Sequence, residues 1–213
     1  MTEPIDNKTT DPMAYSDFTL TSFEKRYGIP YQIGPVFPKP QTPKIPSETL
    51  VKQLNRNNTL LPLLSEKAKS EFIIAPILQE IFNDNTERFT IFSGFAFDVD
   101  AELNGFCDYL FSSRPHSITI KAPIFCLVEA KNRTVEEGLG QCAAEMLAAR
   151  MFNQANDEQL NAVYGSVTTG FEWVFLRLDE TGMQIDLDRF YLNELPQLLG
   201  VLQAVVDASV PLV

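Results

Sequence analysis

The run Val128-Glu129-Ala130-Lys131 closes an otherwise apolar stretch, Ile124 to Ala130, with a carboxylate and an ammonium two residues apart. Side chains alternate along a strand, so Glu129 and Lys131 point to one face. Two ionised groups at the end of a buried strand need partners, because burying charge without them is costly. Either the strand ends there and both groups meet water, or both belong to a site. Asp108 bears on that choice. It interrupts Phe106-Cys107-Asp108-Tyr109-Leu110-Phe111, where a mid-strand carboxylate is disfavoured by propensity and by desolvation. On a half-exposed strand Asp108 simply faces solvent. Beside Glu129 on an adjacent strand it makes a pair of like charges that requires a cation. Hard oxygen ligands of this kind suit Mg²⁺ or Mn²⁺, not zinc.

Two further polar residues fall where such a site could use them. Glu71 shares a helical stripe with Ala68, Ala75, Leu78 and Phe82, so it is either a ligand on the core-facing side or a residue at the stripe's edge. Gln141 could hydrogen-bond a metal-bound water or a phosphate, or be an ordinary helix polar residue. Arg133, Lys121 and Arg150 are candidate phosphate contacts, with solvated surface charge as the stronger reading.

The elements that must position these residues can be read from periodicity and punctuation. Residues 1–46 carry eight of the fourteen prolines and read as an N-terminal arm, with a short helix over Thr21 to Gly28 capped by Thr21 or Ser22. Its aromatic residues (Tyr15, Phe18, Phe23, Tyr27, Tyr31, Phe37) favour docking on the remainder, 47–213, which reads as a single α/β domain. A long helix is expected from Ser65 to Phe82, with Ser65 as N-cap and a kink at Pro76 that leaves the Phe72 carbonyl without its partner. Strands are expected at 89–99, with Gly94 as a bulge, at 103–111, at a short Ile118-Thr119-Ile120 run, and at 124–130. A second helix covers 135–152. Strands at 162–167 and 171–178, a segment at 183–191 and an apolar helix at 195–206 complete the chain.

Composition removes several classes of function. One histidine, His116, lies in Ser113-Arg114-Pro115-His116-Ser117, a turn, and no H-E-x-x-H or G-x-S-x-G motif is present. Cys107, Cys126 and Cys142 form no C-x-x-C pair and suggest neither a disulfide framework nor a zinc site, which points to a reducing, cytoplasmic setting. The first thirteen residues lack the basic and apolar regions of a secretory signal, and no apolar run is long enough to span a membrane. The net charge of −11 means that any surface for nucleic acid must be local.

Asp108 followed by Glu129-x-Lys131, after a strand–turn–strand interval, resembles the PD-(D/E)XK nuclease superfamily, the restriction-endonuclease-like fold. Glu71 on the preceding helix and Gln141, ten residues after Lys131, fit that pattern. The wording Glu129-Ala130-Lys131-Asn132 with Gly140-Gln141-Cys142 is similar to a bacterial, cyanobacterial branch of the class. The resemblance spans about residues 65 to 178. It departs at Cys107, where proline is frequent, and at Glu145, which takes the tyrosine position of the RecB-type Q-x-x-x-Y pattern.

The resemblance implies an α/β fold with a mixed central sheet flanked by helices, in the order α-β-β-β-α-β-β. It also implies that Asp108, Glu129 and the Ala130 carbonyl hold Mg²⁺ or Mn²⁺, with Glu71 as a further ligand, and that Lys131 and Gln141 act on the attacking water and the phosphate. The activity it implies is a Mg²⁺-dependent nucleic-acid phosphodiesterase, DNA first, with a homodimer as one form. The alternatives are a nuclease-like scaffold that binds a protein or nucleic-acid partner without cutting, and a metal-dependent hydrolase on an unrelated fold.

Overall fold

The computed structural model describes residues 13–37, 41–60 and 65–211. The first twelve residues, and the Pro38-Lys39-Pro40 part of the proline-rich stretch, lie outside them. The described chain enters through a 3-10 turn, Tyr15–Asp17, and helix α1, Leu20–Tyr27. The cap of α1 is Thr19, not Thr21 or Ser22. The Ser22 N–H donates to Thr19 Oγ1 at 3.1 Å, and the Thr19 N–H donates to Ser22 Oγ at 2.9 Å. Gly28 ends the helix in the left-handed region that its missing Cβ permits. Tyr15, Phe18 and Phe23 are buried, so this part of the arm is core. Strand β1, Tyr31–Ile33, follows, then helix α2, Glu48–Leu60, which the periodicity reading passed over.

The long helix appears in three pieces: α3 (Glu66–Lys69), a π-helical turn (Ser70–Ile74) and α4 (Ala75–Asn83). Ser65 caps it as expected, accepting from the Ala68 N–H. Pro76 has no N–H to offer, and the Phe72 carbonyl accepts from Asn57 Nδ2 at 2.6 Å instead. A π turn inserts one extra residue into the helical repeat. The apolar stripe therefore runs through Ile73, Ile74, Ile77, Leu78 and Ile81, while Phe72 and Glu71 turn outward. The expected stripe through Phe72 and Glu71 is corrected by that phase shift.

Strands β2 (Thr90–Ala96), β3 (Phe106–Ser112) and β4 (Ile124–Ala130) come next, then a 3-10 turn leading into helix α5, Leu139–Ala155. β5 (Val163–Thr168), β6 (Glu172–Asp179), β7 (Gly182–Ile185), β8 (Phe190–Tyr191) and helix α6 (Leu195–Ser209) complete it. The Ile118-Thr119-Ile120 run forms no strand, and Ile118 is 91% exposed. Gly94 takes a positive φ without a bulge, since Ser93 opposite Tyr109 and Phe95 opposite Cys107 keep one register. The register shift lies instead between Phe111 and Ser112.

These strands form one mixed sheet in the order β1-β7-β6-β5-β4-β3-β2, with β8 on β6. β2, β3 and β4 are antiparallel. β4 and β5 are parallel, joined through α5, and β1 pairs parallel with β7. Helices α1 and α5 cover one face, and α2, α4 and α6 cover the other. The architecture is the mixed α/β sheet between helices that was expected, consistent with a restriction-endonuclease-like core. β4 is buried along its whole length, as a central strand covered on both faces must be. No described helix is long and apolar enough to cross a membrane.

Two glycines let α5 approach closely. A Cβ on Gly165 would meet Met146 Sδ at 2.4 Å, and one on Gly140 would meet the Phe18 carbonyl at 2.3 Å. Gly140→Ala is expected to destabilise the fold by about 1–3 kcal/mol, because the obstacle is backbone and cannot rotate away. Thermal or denaturant unfolding measures this, and an unchanged midpoint would contradict the packing described.

Candidate active site

β3 and β4 keep register up to Tyr109 opposite Val128. One step further brings Asp108 opposite Glu129, and opposed residues of an antiparallel pair share a face. The backbone ladder stops there, and the Asp108 side chain takes its place: Oδ2 accepts from the Ala130 N–H at 2.8 Å. The mid-strand carboxylate is thus half-buried, satisfied by backbone and held beside Glu129.

Lys131 lies over the small surface of Gly138, where a Cβ would come within 3.0 Å of its stem. Its ammonium donates to Glu129 Oε1 at 2.6 Å and to Gln141 Oε1 at 2.9 Å. Gln141 Nε2 in turn donates to Glu145 Oε1 at 3.0 Å, one helical turn along α5. Asp108, Glu129, Lys131 and Gln141 are therefore brought together as the spacing suggested.

Glu145 is the member that sequence reasoning missed as a site residue. It is wholly buried, and one signal was available: it is the only acidic residue in the alanine-rich run from Gly140 to Ala155. Glu129 Oε2 and Glu145 Oε2 are both buried without a hydrogen-bond donor. Burial, then the charge of Asp108, pushes the Glu129 carboxyl up to about 8 against the pull of Lys131. Burial, then Glu129, pushes Glu145 well above the usual carboxylate range. The raised values favour a proton on this buried pair of acids, Glu129 and Glu145, at neutral pH. For Lys131 burial acts downward, but the Glu129 contact outweighs it and the ammonium is held above its ordinary value.

The other candidates fall elsewhere. Glu71 is exposed and paired with Lys67 at 2.8 Å, outside the cluster. The helix acid whose charge reaches Lys131 is Glu66, and it is Lys69 that turns inward, donating to the Asn132 carbonyl. The π turn is tied to β3 by Ser70 Oγ and Tyr109 Oη at 2.7 Å. Lys121 lies at the far end of β3 from Asp108, where its carbonyl accepts from Ser112. Arg150 donates to the Asp179 carbonyl, nine residues and about 14 Å along α5 from Gln141. Arg133 is exposed next to Lys131. His116 is an exposed turn residue facing Glu87 at 3.2 Å, as read from the sequence. All three cysteines are buried and free. Among the described residues no group of three or more His, Cys, Asp or Glu side chains is arranged to hold a metal ion.

No family model matches the chain, and no curated protein matches it. Among solved structures it is similar to a cryo-EM structure of a DrdV–DNA complex, with a TM-score of 0.44 and 11% identity. The similarity covers 76% of this chain, which spans only 14% of that one.

The buried acids set a pH dependence. A carboxyl held at about 8 in the fold and near 4.5 when unfolded keeps its proton more firmly in the folded state. The stability this group contributes is therefore fully present below about pH 4.5 and falls as pH rises from there to about 8. Glu145→Gln keeps an oxygen for Gln141 and removes the ionisable group. It is expected to raise the melting temperature at pH 8 and leave it nearly unchanged at pH 5. Melting curves at the two pH values check this, and an equal shift at both would count against the buried-acid reading.

Proposed function

We propose that the chain is a divalent-metal-dependent nucleic-acid phosphodiesterase acting at Asp108, Glu129 and Lys131. The observation that carries this reading is the register that sets Asp108 opposite Glu129, with the Lys131 ammonium bonded to the second carboxylate. The donor set fits Mg²⁺ or Mn²⁺. Asp108 and Glu129 offer hard oxygens, and Glu129 Oε2 is a buried acceptor without a donor. The Ala130 carbonyl would be a third ligand. A residue's N–H and C=O leave an extended strand on the same edge, and the Ala130 N–H points at Asp108. Bound there, the cation would neutralise charge on the scissile phosphate and make a water more acidic.

The rest falls to the chain. Lys131 stands at the edge of the carboxylate pair and places a fixed positive charge where charge grows on the phosphate. Gln141 Oε1 accepts a second hydrogen bond from that ammonium and helps to fix its position. DNA is the first substrate to test.

A second reading, a scaffold that binds without cutting, is favoured by one feature. The site acid Glu129 already carries an ammonium partner and a neighbouring buried acid, so it is satisfied without metal. Calorimetric titration with Mn²⁺ separates the two. Binding that is lost in Asp108→Asn supports the phosphodiesterase, and absence of binding at millimolar metal supports the scaffold.

Cleavage of plasmid and of single-stranded DNA with Mg²⁺ or Mn²⁺ tests the activity itself. Lys131→Ala is expected to lower the rate about a hundredfold or more. Equal cleavage by wild type and variant would assign the activity to a contaminant and overturn the proposal.

A further inference from the structure

The turn between β5 and β6 places an aromatic ring beside the site. Thr168, whose carbonyl accepts the Lys131 N–H at 2.8 Å, is followed by Thr169-Gly170-Phe171. That turn is built firmly. Thr168 Oγ1 accepts from the Gly170 N–H at 2.8 Å, and the Thr169 N–H donates to the Glu172 carbonyl at 3.0 Å. The Phe171 carbonyl accepts the Leu192 N–H at 2.9 Å. Yet the Phe171 ring is 40% exposed. Lys69 lies over the ring, its ammonium 6.0 Å from the centroid. Lys69 is itself buried, held by the Asn132 carbonyl next to Lys131, and among the described residues it has no carboxylate partner within 4.0 Å.

Phe171 also lines an open cavity of about 460 Å³ between α2 and the β8–α6 segment. Tyr191 supplies a second ring, Val51 and Leu54 apolar surface, and Asn55 and Asn193 two exposed side-chain amides with no hydrogen bond among the described residues. A space of this size, mostly apolar with a few convergent polar groups, suits a small planar ligand. Two aromatic faces with free amides are the chemistry that stacks a nucleobase and reads its edge. An ammonium held by a carbonyl and a ring, with no carboxylate partner among the described residues to neutralise it, is the chemistry that attracts a phosphate.

The geometry points to a subsite for one unpaired nucleotide beside the catalytic cluster: its base lies in the Phe171–Tyr191 cavity and its backbone phosphate at Lys69. It rests on the nucleic-acid reading above and specifies the substrate as a single strand, or a strand with an unstacked base. A duplex keeps its bases stacked on one another, so their faces are not free to stack on a protein ring. The chain's net charge of −11 works in the same direction, because weak long-range attraction for phosphates leaves more of the binding to stacking.

Fluorescence anisotropy of a labelled oligothymidine, in EDTA so that nothing is cut, tests the subsite. An abasic strand of equal length and a blunt duplex serve as comparisons. Phe171→Ala and Phe171→Leu are expected to weaken oligothymidine binding at least about fivefold, and Phe171→Trp to restore it. The abasic strand should bind wild type and both weakened variants alike. Melting curves confirm that the variants are folded, and the leucine variant keeps apolar volume at the position. Equal binding of oligothymidine by wild type and Phe171→Leu, equal binding of the abasic strand and oligothymidine by wild type, or no binding at all overturns the subsite. Phe171-dependent binding in a protein that cuts neither strand with Mn²⁺ upholds the subsite and removes the phosphodiesterase. Cutting that is indifferent to Phe171 does the reverse.

Discussion

Asp108, Glu129 and Glu145 bring three carboxyl groups within electrostatic reach of one another, two of them buried, with the Lys131 ammonium bonded to Glu129. That crowding constrains everything near it. Ionised together, the acids would repel through a medium that screens poorly, so one must hold a proton, gain a cation or lean on Lys131. The surroundings show how the cost is contained. The Ala130 N–H is given to Asp108, Gln141 accepts a second hydrogen bond from Lys131, and Gly138 leaves room for the lysine stem. Removing one partner of such a network leaves charge buried without compensation, which costs more than the pair contributed.

The helices answer the same constraint. α5 must bring Gln141 and Glu145 down onto β4 and β5, and Gly165 on β5 makes room for it by removing a side chain from under Met146 and Cys142. Gly140 opens the other side of α5 to the Phe18–Thr19 backbone just before α1, so a segment that reads as an arm packs directly on the helix that carries Gln141 and Glu145. On the opposite face the π turn before Pro76 rotates the helix by one residue. It sends Glu71 to solvent and Lys69 inward, exchanging an acid for a base at the mouth of the site.

That exchange gives an acidic chain a local run of positive charge. Lys69 reaches the Asn132 carbonyl next to Lys131 and lies over the ring of Phe171, and Arg133 is exposed two residues after Lys131. Lysines fixed by carbonyls, amides and rings keep their charge directed at one place. Under the proposed function, such a layout would hold an anion by position more than by net attraction, since surface charges beyond about 8–10 Å are screened at ordinary salt.

Local pattern determined a good deal. The apolar run ending in Glu129-x-Lys131, the carboxylate interrupting Phe106 to Phe111, and the Gly, Pro and Ser punctuation were enough to place β3, β4, α5 and α6 and to single out Asp108, Glu129, Lys131 and Gln141. These signals are readable because alternation and helical periodicity are properties of neighbouring residues. The helix phase at Glu71 was not legible, because a proline announces a missing hydrogen bond but not whether the helix answers with a kink or an inserted residue. Glu145 was overlooked because burial depends on what packs over a helix, and no spacing along α5 records that β4 and β5 lie beneath it. Strand register, the burial that raises the Glu129 and Glu145 carboxyls, and the meeting of Lys69 with Phe171 across 102 residues of chain were decided by tertiary structure alone. They depend on distances between segments that the order of residues does not contain.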